Sequence, residues 1–366
     1  MAAALAMTGL AGEQLKILPP CEKGKSRFKV PANRVWPEKP GEGDVCLWSM
    51  DRFAAFSITI DDNCMPDHEW WLKLTEELGI KVTWFCITDR VVNKGRAFGG
   101  NWSEWQKLAD AGHSIQSHTT NHSSKKDHTP EEIAHIYGDS LKVLNEKLTN
   151  NVACCIAYPC GVPYEEEIGK YAIAGRGVYG VPSTANRINY RATNLGGMGK
   201  CAAQMVAFGE SQEPPKWLSG KKELKRGLCV GLYHFVHAGK TPEERTKNAE
   251  KSEAEVRYVA SLKDDRLWVC RFDDVMKYAQ ERDTAKLVVK ESGADKIVFD
   301  LTDDMDDTRF DFPLTVKFRL PDGWKTVKAV QNGKPVQAEL IVHDGAPYAL
   351  VYATPDRGET VITRDL

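Results

Sequence analysis

The stretch FSITIDDNC, Phe56 to Cys64, ends an apolar run on two adjacent carboxylates, Asp61 and Asp62. Phe56, Ile58 and Ile60 alternate with Ser57 and Thr59, the period of a half-buried or buried strand. Neighbouring side chains on a strand point to opposite sides. Two carboxylates this close repel, which raises the pKa of at least one. The plain reading is a polar loop start or a helix N-cap. The chemical reading divides the labour, with one carboxylate on a metal and the other free to move protons.

Three further stretches bear on that choice. His118 and His122 lie in SHTTNH, directly after the strand-like HSIQS, so they too stand at a strand end. If the strands are parallel, both sets share the carboxyl face, where such folds place their sites. Two imidazoles and one carboxylate are a common catalytic zinc set with a fourth position open; the alternative is a surface loop with two unrelated imidazoles. In VGLYHFVHAG, His234 closes an apolar strand and His237 is a spare candidate. His234 reads as a capped core histidine, or, beside a metal, as a general acid titrating near neutrality. In AYPCG, Pro159 and Gly161 shape a tight loop, either an ordinary turn or one that aims a backbone N–H at a developing oxyanion.

The surrounding pattern supplies the elements that position these residues. Strand-like segments AAFSITI, IKVTWFCIT, HSIQSH, VACCIAY and LCVGLYHF alternate with helical ones, and LWVCRFDDVMKYAQER is a last strand-helix pair. The helices are EWWLKLTEELG, SEWQKLADAG, TPEEIAHIYGDSLKVLNEKL, a short one around EEEIGKYAIAG, and TPEERTKNAEKSEAEVRYVASLK. Ser103 is placed as the N-cap of the second and Gly112 as its stop. Thr129, Pro130 and Glu132 form a capping box with proline at the first helical position. This alternation predicts a mostly parallel sheet with outer helices, open or closed into a barrel. After Arg282 short strands alternate with turns, including Asn332-Gly333 and Asp344-Gly345, as in a small antiparallel sandwich. The expected layout is an N-terminal extension over 1–50, a catalytic domain over 51–283 and a β-sandwich over 284–366. Asp303, Asp304, Asp306 and Asp307 lack an EF-hand's glycine and distal glutamate and read as a solvated turn.

Composition narrows the partners. The 366 residues are 42% hydrophobic and 27% charged with a net charge of −2 and no basic block, which argues against nucleic acid or an anionic membrane as main partner. No apolar run is long enough to span a bilayer. MAAALAMTGLAGE resembles the tail of a secretory signal without its positive start, or a disordered beginning; a secreted or periplasmic location is expected over a cytoplasmic one. Cys86, Cys229 and Cys270 sit in apolar runs as core thiols, while Cys21, Cys46 and Cys64 leave disulfides open. Trp70, Trp71, Trp102 and Trp105 are candidates for stacking on sugar rings, although tryptophan at helical spacing is more often packing.

In order and placement these motifs resemble the polysaccharide deacetylases of carbohydrate esterase family 4, the NodB-homology domain. Thr59-Ile60-Asp61-Asp62-Asn63, His118-Thr119-Thr120-Asn121-His122, Ala157-Tyr158-Pro159-Cys160-Gly161 and Leu232-Tyr233-His234 stand where that family carries its own motifs. The resemblance covers about Phe53 to Glu281 and implies a distorted (β/α)7-type barrel. It implies that Asp62, His118 and His122 bind a divalent metal, zinc above all. It implies Asp61 as general base, His234 as general acid, Leu232 at the acetyl pocket, and Tyr158 with the Cys160 backbone N–H on the oxyanion and substrate side. The substrate it implies is an N- or O-acetylated oligo- or polysaccharide. A non-sugar amide on the same site and a catalytically impaired carbohydrate-binding protein are the alternatives. Two features depart from the family. The third motif's arginine, which holds the catalytic aspartate, is Ala157 here, with Arg176, Arg187 or Arg191 as substitutes that spacing does not separate. A fourth, Asp-x-x-Asp-Trp type motif has no counterpart. Asn63 replaces a glycine and tolerates the same left-handed backbone.

Overall fold

The structure is a computed structural model and describes residues 16–91, 98–196 and 222–364; the apolar N-terminal stretch lies outside the described residues. Seven strands run parallel: β2 Ala54–Ile60, β3 Thr83–Cys86, β4 Ser114–Ser117, β5 Cys155–Ala157, β6 Ala174–Arg176, β7 Leu228–Tyr233 and β8 Leu267–Cys270. Their order is β6-β5-β4-β3-β2-β7, and β8 pairs with the first half of β2 while β3 pairs with its end. All seven residues of β2 are buried, as expected of a parallel strand covered on both faces. Residues 183–196 bridge the gap between β6 and β7. Ser183 and Leu228 exchange backbone hydrogen bonds, Gly196 N–H donates to the Val230 carbonyl and Thr193 N–H to that of Gly175. The result is the distorted barrel, closed on one side by irregular chain.

Helices α1 His68–Leu78, α2 Trp102–Asp110, α3 Pro130–Ile133, α4 Ser140–Lys147, α5 Pro242–Ala260 and α6 Phe272–Thr284 connect the strands. Three start on capping boxes, including the expected Thr129/Glu132 pair on α3. On α2 the cap is Asn101 rather than Ser103: Asn101 Oδ1 accepts the Ser103 and Glu104 N–H groups, and Glu104 accepts the Asn101 N–H. Between α3 and α4 the helix widens into a π turn over Ala134–Asp139. The segment read as a helix around EEEIGKYAIAG holds a short 3-10 turn, Ile168–Lys170, and then β6. Its small residues suit a helix, but tertiary pairing with β5 overrides that preference. At Gly175 a Cβ would lie 2.4 Å from the Tyr158 hydroxyl and 2.5 Å from the Arg191 carbonyl, so the strand needs glycine there. Trp71 and Trp105 are fully buried and Trp70 and Trp102 pack against the same core, so these rings serve packing.

The C-terminal part consists of two antiparallel sheets. With β1 Gly43–Val45, β9 Lys286–Ser292, β10 Lys296–Thr302, β11 Leu314–Arg319, β12 Lys328–Gln331, β13 Lys334–Val336, β14 Ala338–His343, β15 Ala346–Ala353 and β16 Thr360–Thr363, their orders are β1-β11-β15-β14 and β13-β12-β16-β10-β9. Phe299 and Phe318 meet between the sheets, ring centres 4.8 Å apart. Asn332-Gly333 and Asp344-Gly345 have positive φ at both positions, as tight hairpins require. Residues before the barrel lace the two parts together. β1 is an edge strand of the C-terminal sheet, and Lys317 pairs with buried Asp51 under the Trp36 ring. Cys21, Cys46, Cys64, Cys86, Cys229 and Cys270 are all free thiols.

One buried acid sits at the seam. Glu281, 1% exposed, accepts the Phe312 N–H on its carboxylate oxygens at 3.2 and 3.3 Å. Burial first, and then the charge of Asp303, push its carboxyl up to about 9. A raised folded-state pKa means that the contribution is complete below the unfolded value and is lost as pH rises through about 9. Melting temperature is therefore expected to fall from pH 5 toward pH 9. Glu281→Gln, which keeps an acceptor for Phe312, should flatten that slope and raise the melting temperature at pH 8 by a few degrees. Parallel wild-type and variant pH profiles in scanning calorimetry would contradict this.

Candidate active site

The loop after β2 carries the two aspartates. Asp61 is buried and its N–H donates to the Tyr233 carbonyl on β7. Asp62, Asn63 and Cys64 follow with φ of 63°, 65° and 41°. Left-handed backbone costs about 1–3 kcal/mol per non-glycine residue, so the surroundings must hold it. Asn63 does so: its amide donates to the Ile87 and Gly99 carbonyls, and its Oδ1 accepts the Ile87 N–H at 2.7 Å. A glycine would permit the same turn without clamping it to the end of β3.

The loop after β4 brings the histidines to the same face. Thr119 and His122 are also left-handed, and Thr119 Oγ1 accepts the His122 N–H at 3.0 Å. Ligand atoms of Asp62, His118 and His122 lie within 4.8 Å of one another. His122 Nε2 is 3.3 Å and His118 Nε2 3.7 Å from Asp62 Oδ1. His118 Nδ1 lies 2.8 Å from the Ala157 carbonyl, which only accepts, so Nδ1 carries the proton and Nε2 presents a lone pair. Burial lowers the His118 pKa, keeping the ring neutral against the pull of Asp61. Asp62 Oδ1 is buried and has no hydrogen-bond partner. An orphaned carboxylate oxygen facing two imidazole lone pairs is a donor set that a divalent cation satisfies, and its N₂O composition suits zinc.

Asp61 is held by Arg176, the last residue of β6. The guanidinium, 0% exposed, forms a buried ion pair with both Asp61 oxygens. Burial alone would raise the Asp61 pKa, but Arg176 and His118 hold it below the ordinary carboxylate value. Arg176 is the register partner of Ala157 across the β5–β6 pair. The arginine missing from the third motif is thus replaced from the next strand, at the level of the vacated position. Arg191 instead lends its carbonyl to the Tyr158 hydroxyl at 2.6 Å. The sequence signal for Arg176 is an arginine closing a run of small residues, and the helical preference of that run hides it.

The remaining candidates divide. His234 follows β7, its side chain is 47% exposed, and its Nε2 is 3.7 Å from Asp62 Oδ2. The spare candidate His237 has a different partner, the buried Asp67, at 2.6 Å. Leu232 is buried on β7. Cys160 is exposed on the loop after β5 with φ of 52°. Tyr158 is fully buried with its hydroxyl bonded to Arg191, so its ring belongs to the core and not to a substrate surface.

A parallel barrel with two aspartates after one strand and two histidines after another is the arrangement that the resemblance to polysaccharide deacetylases implies. Residues 52–174 match the family described as polysaccharide deacetylase. A gellan lyase from Bacillus sp is 35% identical over 372 residues, covering 97% of this chain and 14% of that relative, so the chain spans a small part of its length. Among solved structures, the Streptococcus pyogenes deacetylase PplD in complex with acetate is 23% identical over 38% of this chain and 62% of its own, with a TM-score of 0.34. A family 4 carbohydrate esterase from Bacillus anthracis is 11% identical over 61% of this chain and 82% of its own, with a TM-score of 0.35.

Proposed function

We propose that the chain is a metal-dependent hydrolase that removes acetyl groups from an N- or O-acetylated carbohydrate. The observation that carries this reading is the convergence of Asp62, His118 and His122 beside an Asp61 that Arg176 keeps ionised. Asp62 Oδ1 and the Nε2 atoms of His118 and His122 would hold the cation, which when bound polarises the acetyl carbonyl and offsets the charge developing on its oxygen. Asp61 takes the proton of the attacking water. His234, on the open side, donates a proton to the departing amine or alcohol as the bond to the acetyl carbon breaks and acetate forms. The loop around Cys160 faces the oxyanion, and Leu232 lines the acetyl pocket. A carbohydrate substrate is supported by the family description and by the relative named gellan lyase. No helix among the described residues is long and apolar enough to cross a membrane. A secreted or periplasmic site of action belongs to the same reading.

The test is Asp61→Asn. The variant should keep about one equivalent of zinc, measured by atomic emission. Its acetate release from O-acetylated gellan or N-acetylglucosamine oligomers should fall ~10²–10⁴-fold, the usual worth of a general base. Undiminished turnover would remove Asp61 from the role. Wild-type activity on small amides alone would favour the non-sugar alternative.

A further inference from the structure

The loops after β2 and β7 leave the metal cluster side by side. Asp61 N–H bonds the Tyr233 carbonyl, and Asp62 Oδ2 lies 3.7 Å from His234 Nε2. Further along, Asp67 accepts the Val236 N–H on Oδ2 at 2.8 Å, and its Oδ1 lies 2.6 Å from His237 Nδ1. Asp67 is buried and a carboxylate only accepts, so His237 Nδ1 carries the proton. The His237 side chain is 40% exposed, and its Nε2 has no hydrogen-bond partner among the described residues. A buried carboxylate thus fixes the orientation of an accessible imidazole and leaves one ring nitrogen for a ligand. That nitrogen accepts when the ring is neutral and donates when it is protonated. A sugar hydroxyl, which does both, matches either form.

Two phenyl rings stand beside that imidazole. Phe235, between His234 and His237 in the chain, meets Phe98 edge-on with ring centres 5.2 Å apart. Phe98 is 58% exposed. A lone exposed apolar side chain is ordinary, but this one is displayed on a clamped backbone. Its carbonyl accepts the Met65 N–H at 3.4 Å, and the Gly99 carbonyl accepts from the Asn63 amide and the Trp105 indole, both at 3.1 Å. A Cβ at Gly99 would lie 1.8 Å from the Arg90 carbonyl oxygen, so the chain there requires glycine. The same Asn63 that shapes the metal-binding loop therefore fixes where Phe98 stands. In the reaction above, the acetyl group lies at the metal cluster and the amine or alcohol departs on the His234 side. The ring that carries this group continues toward Phe235, Phe98 and His237. A pyranose presents C–H bonds on its faces and hydroxyls around its rim, which suit an aromatic surface and a polar ring nitrogen respectively. We infer that Phe98, backed by Phe235, and His237, oriented by Asp67, form the subsite for the sugar ring that loses its acetyl group. Phe98 stacks on the ring face, and His237 Nε2 bonds a rim hydroxyl. The inference rests on the deacetylase reading for its location, but its test reads binding apart from turnover.

The zinc-loaded full chain carrying Asp61→Asn, which should not consume bound substrate, is titrated by calorimetry with the N-acetylglucosamine tetramer and with O-acetylated gellan oligosaccharides. At least one should bind. Adding Phe98→Ala should weaken that binding ~5-fold or more through lost apolar contact. His237→Asn should weaken it ~5-fold, about the worth of one hydrogen bond. Asparagine keeps a donor for Asp67 in place of Nδ1 but has nothing in place of Nε2, so a histidine that only staples the two loops would leave affinity unchanged. Phe98→Tyr keeps the flat ring and should bind as the parent does, whereas Phe98→Leu, apolar but not flat, should not. No binding of either oligosaccharide, parental affinity in Phe98→Ala, Phe98→Leu or His237→Asn, or a loss of affinity that follows a loss of zinc would overturn the inference. Binding that both substitutions weaken, in a chain whose wild type releases no acetate, would sink the deacetylase reading and leave the subsite standing. Acetate release from these oligosaccharides with affinity indifferent to both substitutions would do the reverse.

Discussion

Arg176→Met is expected to lose ~3–5 kcal/mol of stability, the usual cost of leaving a buried charge without its partner, and to lower acetate release ~10²–10⁴-fold as the base loses its position. Asp61 is buried, and one guanidinium nitrogen, Nη2 of Arg176, donates to both of its oxygens. With Arg176 gone, burial dominates and the Asp61 pKa rises, so the variant should also show an acid limb of activity displaced to higher pH. Arg176→Lys keeps the charge but not the guanidinium, whose Nη2 meets both Asp61 oxygens while Nη1 donates to the Gly177 carbonyl, and should fall between the two proteins. The decisive comparison is the swap. Ala157 and Arg176 are register partners on adjacent parallel strands, so their side chains leave the sheet on the same side. Ala157→Arg combined with Arg176→Ala should therefore recover part of the activity lost by Arg176→Ala alone. Full activity and unchanged melting temperature in Arg176→Met would show that the ion pair does nothing for the site.

The second large effect concerns the metal. Asp62→Ala should abolish zinc binding and acetate release together, because it removes one of three donors, where even an outer-shell partner is worth ~10–100-fold in affinity. If the proposed centre holds zinc, the metal at a thousand times its dissociation constant would stabilise the folded wild type by ~4 kcal/mol. Added zinc should thus raise the wild-type melting temperature and leave that of Asp62→Ala unmoved. The sign without metal is the sharper test. Asp62 Oδ1 is buried and unbonded, and the carboxylate lies beside Asp61, so the metal-free variant should be as stable as metal-free wild type or more so. A metal-free Asp62→Ala protein that melts well below metal-free wild type would mark Asp62 as structural. Equal zinc affinity in the two proteins would dissolve the proposed centre.

The legible parts of this protein were those encoded locally. Alternation in Phe56–Ile60, the capping box at Thr129, and the hairpin dipeptides Asn332-Gly333 and Asp344-Gly345 each specify backbone geometry through near neighbours. The motif pairs at 61–62 and 118–122 named their strand ends because a parallel sheet collects such ends on one face. Where local preference and tertiary pairing disagreed, reading the chain failed. Ala174 and Gly175 end a segment that looks helical and lie instead in the strand Ala174–Arg176, and Ser103 yields its cap to Asn101 two residues earlier.

Chemistry-bearing residue types and their order along the chain were thus present in the sequence by itself: two acids, two imidazoles, a late histidine, and strands to carry them. Only the tertiary structure decided which arginine supports Asp61, that Tyr158 is core, and that Phe98 stands against Phe235. Those facts depend on strand register and on contacts between residues tens of positions apart. Burial, which makes an ion pair or an orphaned carboxylate oxygen matter, is a property of the packed whole and has no signature in a local window.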